Sequence, residues 1–331
     1  MPLNTLTADW QRELAEAFSS VDELCRHLEL DPTALPLLPD YKAFPLRVPR
    51  GFVACMQKGN PRDPLLRQVL PLQDELRDLP GYTLDPVGDL QAAAQAGVIH
   101  KYHGRVLLIV TGGCAVHCRY CFRRNFPYGE QQLSTQKIEQ ATAYLEQHPE
   151  ISEVILSGGD PLLLSDSKLK ALLQRLSAIP SIERLRIHSR IPVVLPERIS
   201  AEFLDILDSV RPALVFVLHA NHGKELSHRV ADACHALKQR GVTLLNQSVL
   251  LKHINDDAEI LIDLSEKLFA LGVLPYYLHQ LDRAKGVGHF EVEQSLALNL
   301  LSTLQQRLPG YLVPKLVQEQ AGAAHKIWLG A

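Results

Sequence analysis

Three of the chain's six cysteines fall in one short stretch, at Cys114, Cys118 and Cys121 within TGGCAVHCRYCFRRNFPY. The spacing C-x3-C-x2-C presents three thiolates from one loop, and thiolates are the soft ligands of zinc and of iron-sulfur clusters. A four-iron cluster held by three cysteines keeps one iron open to a small molecule, whereas a structural zinc or an electron-transfer cluster closes with a fourth ligand. The residues alone leave open a cluster with a free iron, a zinc site that borrows His117, and a closed cluster that borrows Cys25, Cys55 or Cys234. Zinc ligands commonly come as two separated pairs, and this chain has no C-x2-C partner elsewhere.

Positioning such a loop is the task of the elements around it. From Arg105 onward short apolar runs alternate with helix-length amphipathic segments: 105–111, 153–157, 184–189, 213–219, 242–250 and 273–280, with a last helical segment at about 290–307. Six such units with nearly continuous apolar strands predict a parallel sheet covered by helices, doubly wound or rolled toward a barrel. In parallel α/β architectures chemistry gathers at the C-terminal strand ends. The cysteine loop follows the first strand, SGGDP the second and HSR the third; His219 ends the fourth, Asn246 and Gln247 interrupt the fifth, and HQLD ends the sixth. Convergence of polar residues from six segments on one rim points to an enzyme with one central site. Taken alone, Gly158, Gly159 and Asp160 read as a strand-to-helix turn, and His219 and Gln247 as hydrogen-bonded core polars.

Upstream, residues 10 to 30 carry apolar side chains at helical spacing, and Ser20 with Glu23 suggests a capping box. Pro32, Pro36, Pro39, Pro45 and Pro49 predict an extended connector. Residues 61 to 80 return to short helical pattern; DPVGD at 85–89 reads as a breaker and LQAAAQAG after it as helix-like. The reading is an N-terminal helical and extended region at 1–97 and a barrel with a C-terminal segment at 98–331.

The net charge of -3 offers no overall basic excess for nucleic acid or an anionic membrane surface. The first twenty residues lack a basic start followed by an apolar core, and no run of 18 apolar residues occurs. Clustered free cysteines fit a reducing compartment, so the cytoplasm is expected, with no membrane and no nucleic acid as partner.

Five ordered motifs, CRYCFRRNFPY, SGGDPLLLSD, RIPVVLPERI, NQSVLLKHIND and PYYLHQLDRAKGVGHF, resemble the lysine 2,3-aminomutase family of radical S-adenosylmethionine (SAM) enzymes. The likeness runs from about Phe44 to Lys326 and is greatest to the bacterial branch that makes β-lysine for modification of elongation factor P. It implies an open (β/α)6 barrel and a 4Fe-4S cluster on Cys114, Cys118 and Cys121, with SAM on the open iron. Ser157, Gly158, Gly159 and Asp160 then form the loop that meets the amino group of SAM, with His219 and Gln247 near its ribose and adenine. Lys326 falls where the family's lysine carries pyridoxal 5'-phosphate (PLP), preceded here by Gly322, Ala323, Ala324 and His325 instead of a run of glycines. Lys101 and Arg105 match phosphate-contacting positions, Lys101 replacing an arginine, and Tyr102 one that packs on the PLP ring. Arg123 matches the clamp for the substrate carboxylate. Asp282 and Glu319 match the two acids that read the ε-ammonium of lysine, Glu319 replacing an aspartate.

The activity so implied is conversion of L-lysine to β-lysine: a radical made from SAM takes hydrogen from Cβ of the PLP-bound amino acid, the nitrogen migrates, and the hydrogen returns. Its implied partners are L-lysine, a reductant such as flavodoxin or ferredoxin, and elongation factor P with its lysyl-transferring ligase. No structural zinc is expected, because the C-terminal extension that the clostridial-type members carry, with its zinc cysteines, is not found after Lys326. Three rivals remain: the same chemistry on glutamate or arginine, a non-catalytic iron-sulfur or zinc protein, and a plain PLP transaminase.

Overall fold

The computed structural model describes residues 10–330; residues 1–9, part of the stretch read for a leader, lie outside the described residues. Ten strands form one sheet in sequence order: β1 (Ala93–Gln95), β2 (Val98–Tyr102), β3 (Arg105–Thr111), β4 (Glu153–Gly158), β5 (Arg184–Ser189), β6 (Ala213–Leu218), β7 (Thr243–Val249), β8 (Leu274–His279), β9 (Lys315–Gln318) and β10 (Ile327–Trp328). Neighbours from β3 to β9 pair in parallel, whereas β1 with β2, β2 with β3 and β9 with β10 are antiparallel. Strands β1 and β10 share no ladder, so the sheet stays open as a partial barrel of six βα units.

The strands form where β-branched and aliphatic residues run together, as in RVLLIVT and ALVFVL. Each strand from β3 to β8 is followed by a helix. Ser134, Ser200 and Ser227 cap three of these helices by accepting from the amide three residues on. Helix Asp166–Ser177 buries Leu169, Leu172, Leu173 and Leu176 at helical spacing against the sheet. Truncating one of these to alanine would cost about 2–5 kcal/mol.

The upstream segment is extended with short helical turns, as its prolines dictate. Ser20 caps Val21–His27, but Glu23 turns away from a capping box to pair with Arg50 at 3.1 Å. Phe18, Leu24, Phe52 and Leu65 from this segment share one hydrophobic cluster with Val106, Leu156 and Leu185 of the sheet. One sequence reading is corrected: LQAAAQAG holds strand β1, not a helix, because Ala93 and Gln95 pair with Ile99 and Val98 across a turn at Gly97, whose φ is +84°. Alanine propensity is outweighed there by ladder pairing. No helix among the described residues is long and apolar enough to cross a membrane.

Candidate active site

Every residue that the family resemblance assigns to cluster, SAM, PLP-lysine, phosphate or substrate lines one cavity of about 1070 Å3. At one end stand Cys114, Cys118 and Cys121, all free. Cys25, Cys55 and Cys234 do not line it, and His117 is turned outward, its Nδ1 2.8 Å from the Pro45 carbonyl and its ring 5.1 Å from Phe44. The arrangements that borrow a fourth ligand from these residues therefore lose it.

The glycines at the end of β4 hold the cysteine loop through backbone contact. Gly159 donates to the Thr111 carbonyl and Asp160 to the Gly113 carbonyl, both at 2.7 Å. A Cβ on Gly159 would lie 2.1 Å from the Gly113 oxygen, and one on Gly158, at φ +121°, 2.5 Å from the Thr111 oxygen. Only glycine admits such an approach. The Asp160 carboxylate accepts from Leu162 N, Ser189 Oγ, Arg190 N and Ile191 N at 2.7–3.1 Å, yet burial lifts its pKa to about 6.

Behind the loop lies a buried polar network that the sequence reading did not assign. Arg190 Nη1 is 2.7 Å from Cys118 Sγ, and its Nη2 is 2.7 Å from Gln68 Oε1 and 3.2 Å from Glu225. Tyr120 stacks on His219 at 5.7 Å, with its hydroxyl 3.1 Å from His219 Nε2. Burial and the Arg190 charge hold His219 well below its ordinary pKa, so it is neutral. Gln247 faces the cavity from β7.

At the other end the charges alternate in an unbroken line. Lys326, just before β10, pairs with Glu319, just after β9, as the hairpin register places them opposite each other. Glu319 reaches Lys101 at 3.1 Å; Lys101 reaches Asp89 at 2.6 Å and the Val87 carbonyl at 2.7 Å; Asp89 holds Arg123 Nε at 2.7 Å; and Arg123 Nη1 bonds Ser157 Oγ at 3.2 Å. Burial alone would raise both acids, but Lys326 and Lys101 hold Glu319 far below the carboxylate range, and Arg123 and Lys101 hold Asp89 below it. Arg105 lies 4.8 Å over the Tyr102 ring and has no salt bridge among the described residues. Asp282 is the exception: its buried Oδ1 has no partner, and burial with the nearby Glu319 charge pushes its pKa up to about 7 against the opposing pull of Lys326.

Asp89 was missed because its sequence signal, DPVGD, is that of a turn. His188 and His279 were placed on the polar rim, in HSR and HQLD, but given no role. Each keeps a buried Nε2 without a partner, and burial lowers His188 far below its ordinary pKa and His279 to about 3. The turn at 85–89 packs on the segment between β9 and β10, with Gly88 at φ +67° backed against Ala321.

The radical SAM superfamily model matches residues 108–264. The L-lysine 2,3-aminomutase of Escherichia coli (strain K12) is 47% identical over 320 residues, covering 96% of this chain and 93% of that protein. This chain belongs to the lysine 2,3-aminomutase family of radical SAM enzymes. The L-lysine 2,3-aminomutase of Haemophilus influenzae is 48% identical, covering 86% of this chain and 84% of that protein, and that of Clostridium subterminale is 32% identical, covering 96% and 77%. A member of this family works with a 4Fe-4S cluster, SAM and PLP.

The cavity fits such groups. Burial, then the charges of Cys121, Asp160 and Cys118, push the Cys114 thiol well up, and burial with Cys118 pushes Cys121 to about 11. Thiols held up in this way, Cys114 and Cys121, need a cationic centre close by to become thiolates. At the far end, lysine, arginine and tyrosine side chains frame a space suited to an anionic aromatic cofactor.

Proposed function

We propose that this chain converts L-lysine to β-lysine in the cytoplasm, using the cluster and SAM at one end of the cavity and PLP at the other. The observation that carries the reading is that the cysteine triad and the Lys326–Glu319 pair face one continuous cavity. The cluster with SAM supplies a radical able to take hydrogen from an unactivated carbon, and PLP supplies the carrier for the migrating nitrogen.

The chain's own residues do the positioning. Cys114, Cys118 and Cys121 hold the cluster, with Gly158 and Gly159 fixing their loop; Ser157, Asp160, His219 and Gln247 frame the SAM end. Arg123 is held in orientation by Asp89 and Ser157, which prepares its guanidinium for the substrate carboxylate. Asp282 and Glu319 provide the anionic end for an ε-ammonium. Lys326 bears PLP, Tyr102 packs beside the ring and Arg105 serves its phosphate; Lys101, already engaged by Asp89 and Glu319, adds positive charge. Two acids at the distal end disfavour glutamate as substrate. The reading extends to a low-potential reductant such as flavodoxin or ferredoxin, and to use of the product on elongation factor P by a lysyl-transferring ligase. The free thiols, which fit a reducing compartment, support the cytoplasmic address.

The test is an anaerobic assay with loaded cluster and PLP, SAM, a strong reductant and L-lysine, following β-lysine by chromatography. β-Lysine that is lost in both Cys118→Ala and Lys326→Ala supports the reading; a loaded enzyme that forms none, or that turns over arginine faster, overturns the substrate.

A further inference from the structure

A second cleft, of about 510 Å3, is lined by Arg62, Arg67 and His253. Arg62 and His253 are exposed and Arg67 is half-buried. Among the described residues none of these three side chains has a hydrogen bond or ion pair. The neighbouring acids are occupied: Asp63 caps Leu65 and Leu66 at 2.9 and 3.1 Å, and Asp256 accepts from the His253 amide at 2.8 Å. Two unpaired arginines beside a histidine, on a chain whose net charge is -3, are selective for an acidic partner, where a uniformly basic surface would not be.

The position of the cleft says what that partner delivers. Arg67 is joined directly to Gln68, whose carbonyl accepts from the Arg119 amide at 2.8 Å, and Arg119 is joined directly to Cys118. A single hydrogen bond therefore separates the backbone of the cleft wall from the backbone of Cys118. A second route runs through the Gln68 side chain to Arg190 at 2.7 Å and on to Cys118 Sγ at 2.7 Å. The His253 side converges on the same point, since Asn255 bonds the Asn221 carbonyl and Asn221 bonds Gln68 Oε1, both at 3.0 Å.

We propose that this cleft docks a small acidic one-electron carrier protein, and that the electron passes to the cluster through Gln68 and Cys118. The step is balanced without bond making: the carrier loses one electron, the cluster gains one, and no proton moves. The inference rests on the reading of the cysteine triad as a redox cluster.

The probe is a reduced flavodoxin, with dithionite as a small chemical reductant, acting on the full chain with loaded cluster. Cluster bleaching is followed by stopped-flow absorbance, and flavodoxin affinity by calorimetry. In the double variant Arg62→Glu/Arg67→Glu the flavodoxin-driven rate should fall by about tenfold or more and lose its dependence on salt, while the dithionite-driven rate stays at the wild-type value. Arg67→Gln should show a smaller loss in the same direction, with iron content unchanged. Equal flavodoxin rates in wild type and double variant, or a wild-type rate indifferent to salt, would overturn the docking site. Phosphate binding at the cleft with no flavodoxin affinity would assign it to a small anion and also overturn it. A chain that takes up no iron sinks the cluster reading itself, an outcome separate from these.

Discussion

Arg190 Nη1 lies 2.7 Å from Cys118 Sγ, a buried cation donating to one of the three thiols. Hydrogen bonds and positive charge at a cluster sulfur favour the more negative, reduced state. Arg190→Gln should therefore shift the cluster midpoint to a more negative value, and Arg190→Lys should shift it less. An EPR-monitored redox titration reads this directly, and an unchanged midpoint in Arg190→Gln rejects it.

Asp89 joins Lys101 to Arg123 with one oxygen each. Asp89→Asn removes the anion that pairs with Arg123, leaves Lys101 with Glu319 alone, and lets Arg123 swing. On the proposed role of Arg123 as the carboxylate clamp, a misplacement of about 1 Å is enough to lower rate by about a hundredfold, so kcat/KM for lysine should fall by that order. Steady-state kinetics with PLP content checked alongside tests it; wild-type kinetics would show that Asp89 is only structural.

Asp282 gives a pH dependence with a defined sign. The folded chain keeps its proton up to about pH 7, whereas an unfolded aspartate releases it near 4, so between these values the folded state binds more protons. The stability of the ligand-free protein attributable to this group falls as pH rises through that window. Binding of an ammonium runs the other way, since it needs the carboxylate, so kcat/KM for lysine should rise with pH around 7. Thermal unfolding and rate profiles of Asp282→Asn should both lose this limb, and an unaltered profile would contradict it.

Gly159→Ala would drive a methyl into the Gly113 carbonyl. The cysteine loop must then move, and iron bound per chain after reconstitution should drop sharply. Gly51→Ala, where a Cβ meets nothing within 4 Å, is the matched control and should retain full iron.

Much of this site was legible because its parts are local in sequence. The cysteine triad is one loop, and β3 to β8 announce themselves by apolar runs whose ends carry the polar residues. What stayed hidden depends on contacts between distant segments. Asp89 looks like a turn residue until Lys101 and Arg123 close on it; β9 and β10 are too short to show a period and exist through pairing with β8 and each other. The alanine-rich stretch before β2 favours helix by propensity and becomes strand because an edge was available. The second cleft draws on two segments nearly two hundred residues apart, one ending in the short helix Pro64–Arg67.

The distribution of sulfur along this chain acquires a chemical meaning once a carbon radical is placed in the cavity. A thiol holds its hydrogen more weakly than an unactivated carbon does, and a stray S–H within reach would quench a radical on such a carbon by handing that hydrogen over. Among the described residues the cavity wall carries, of the cysteines, only the three that a cluster would strip of hydrogen, while Cys25 and Cys234 are sealed in the core and Cys55 sits outside the lining. Their placement insulates the radical, and a cysteine introduced at Val249 or Leu281 on that wall would act as a fuse.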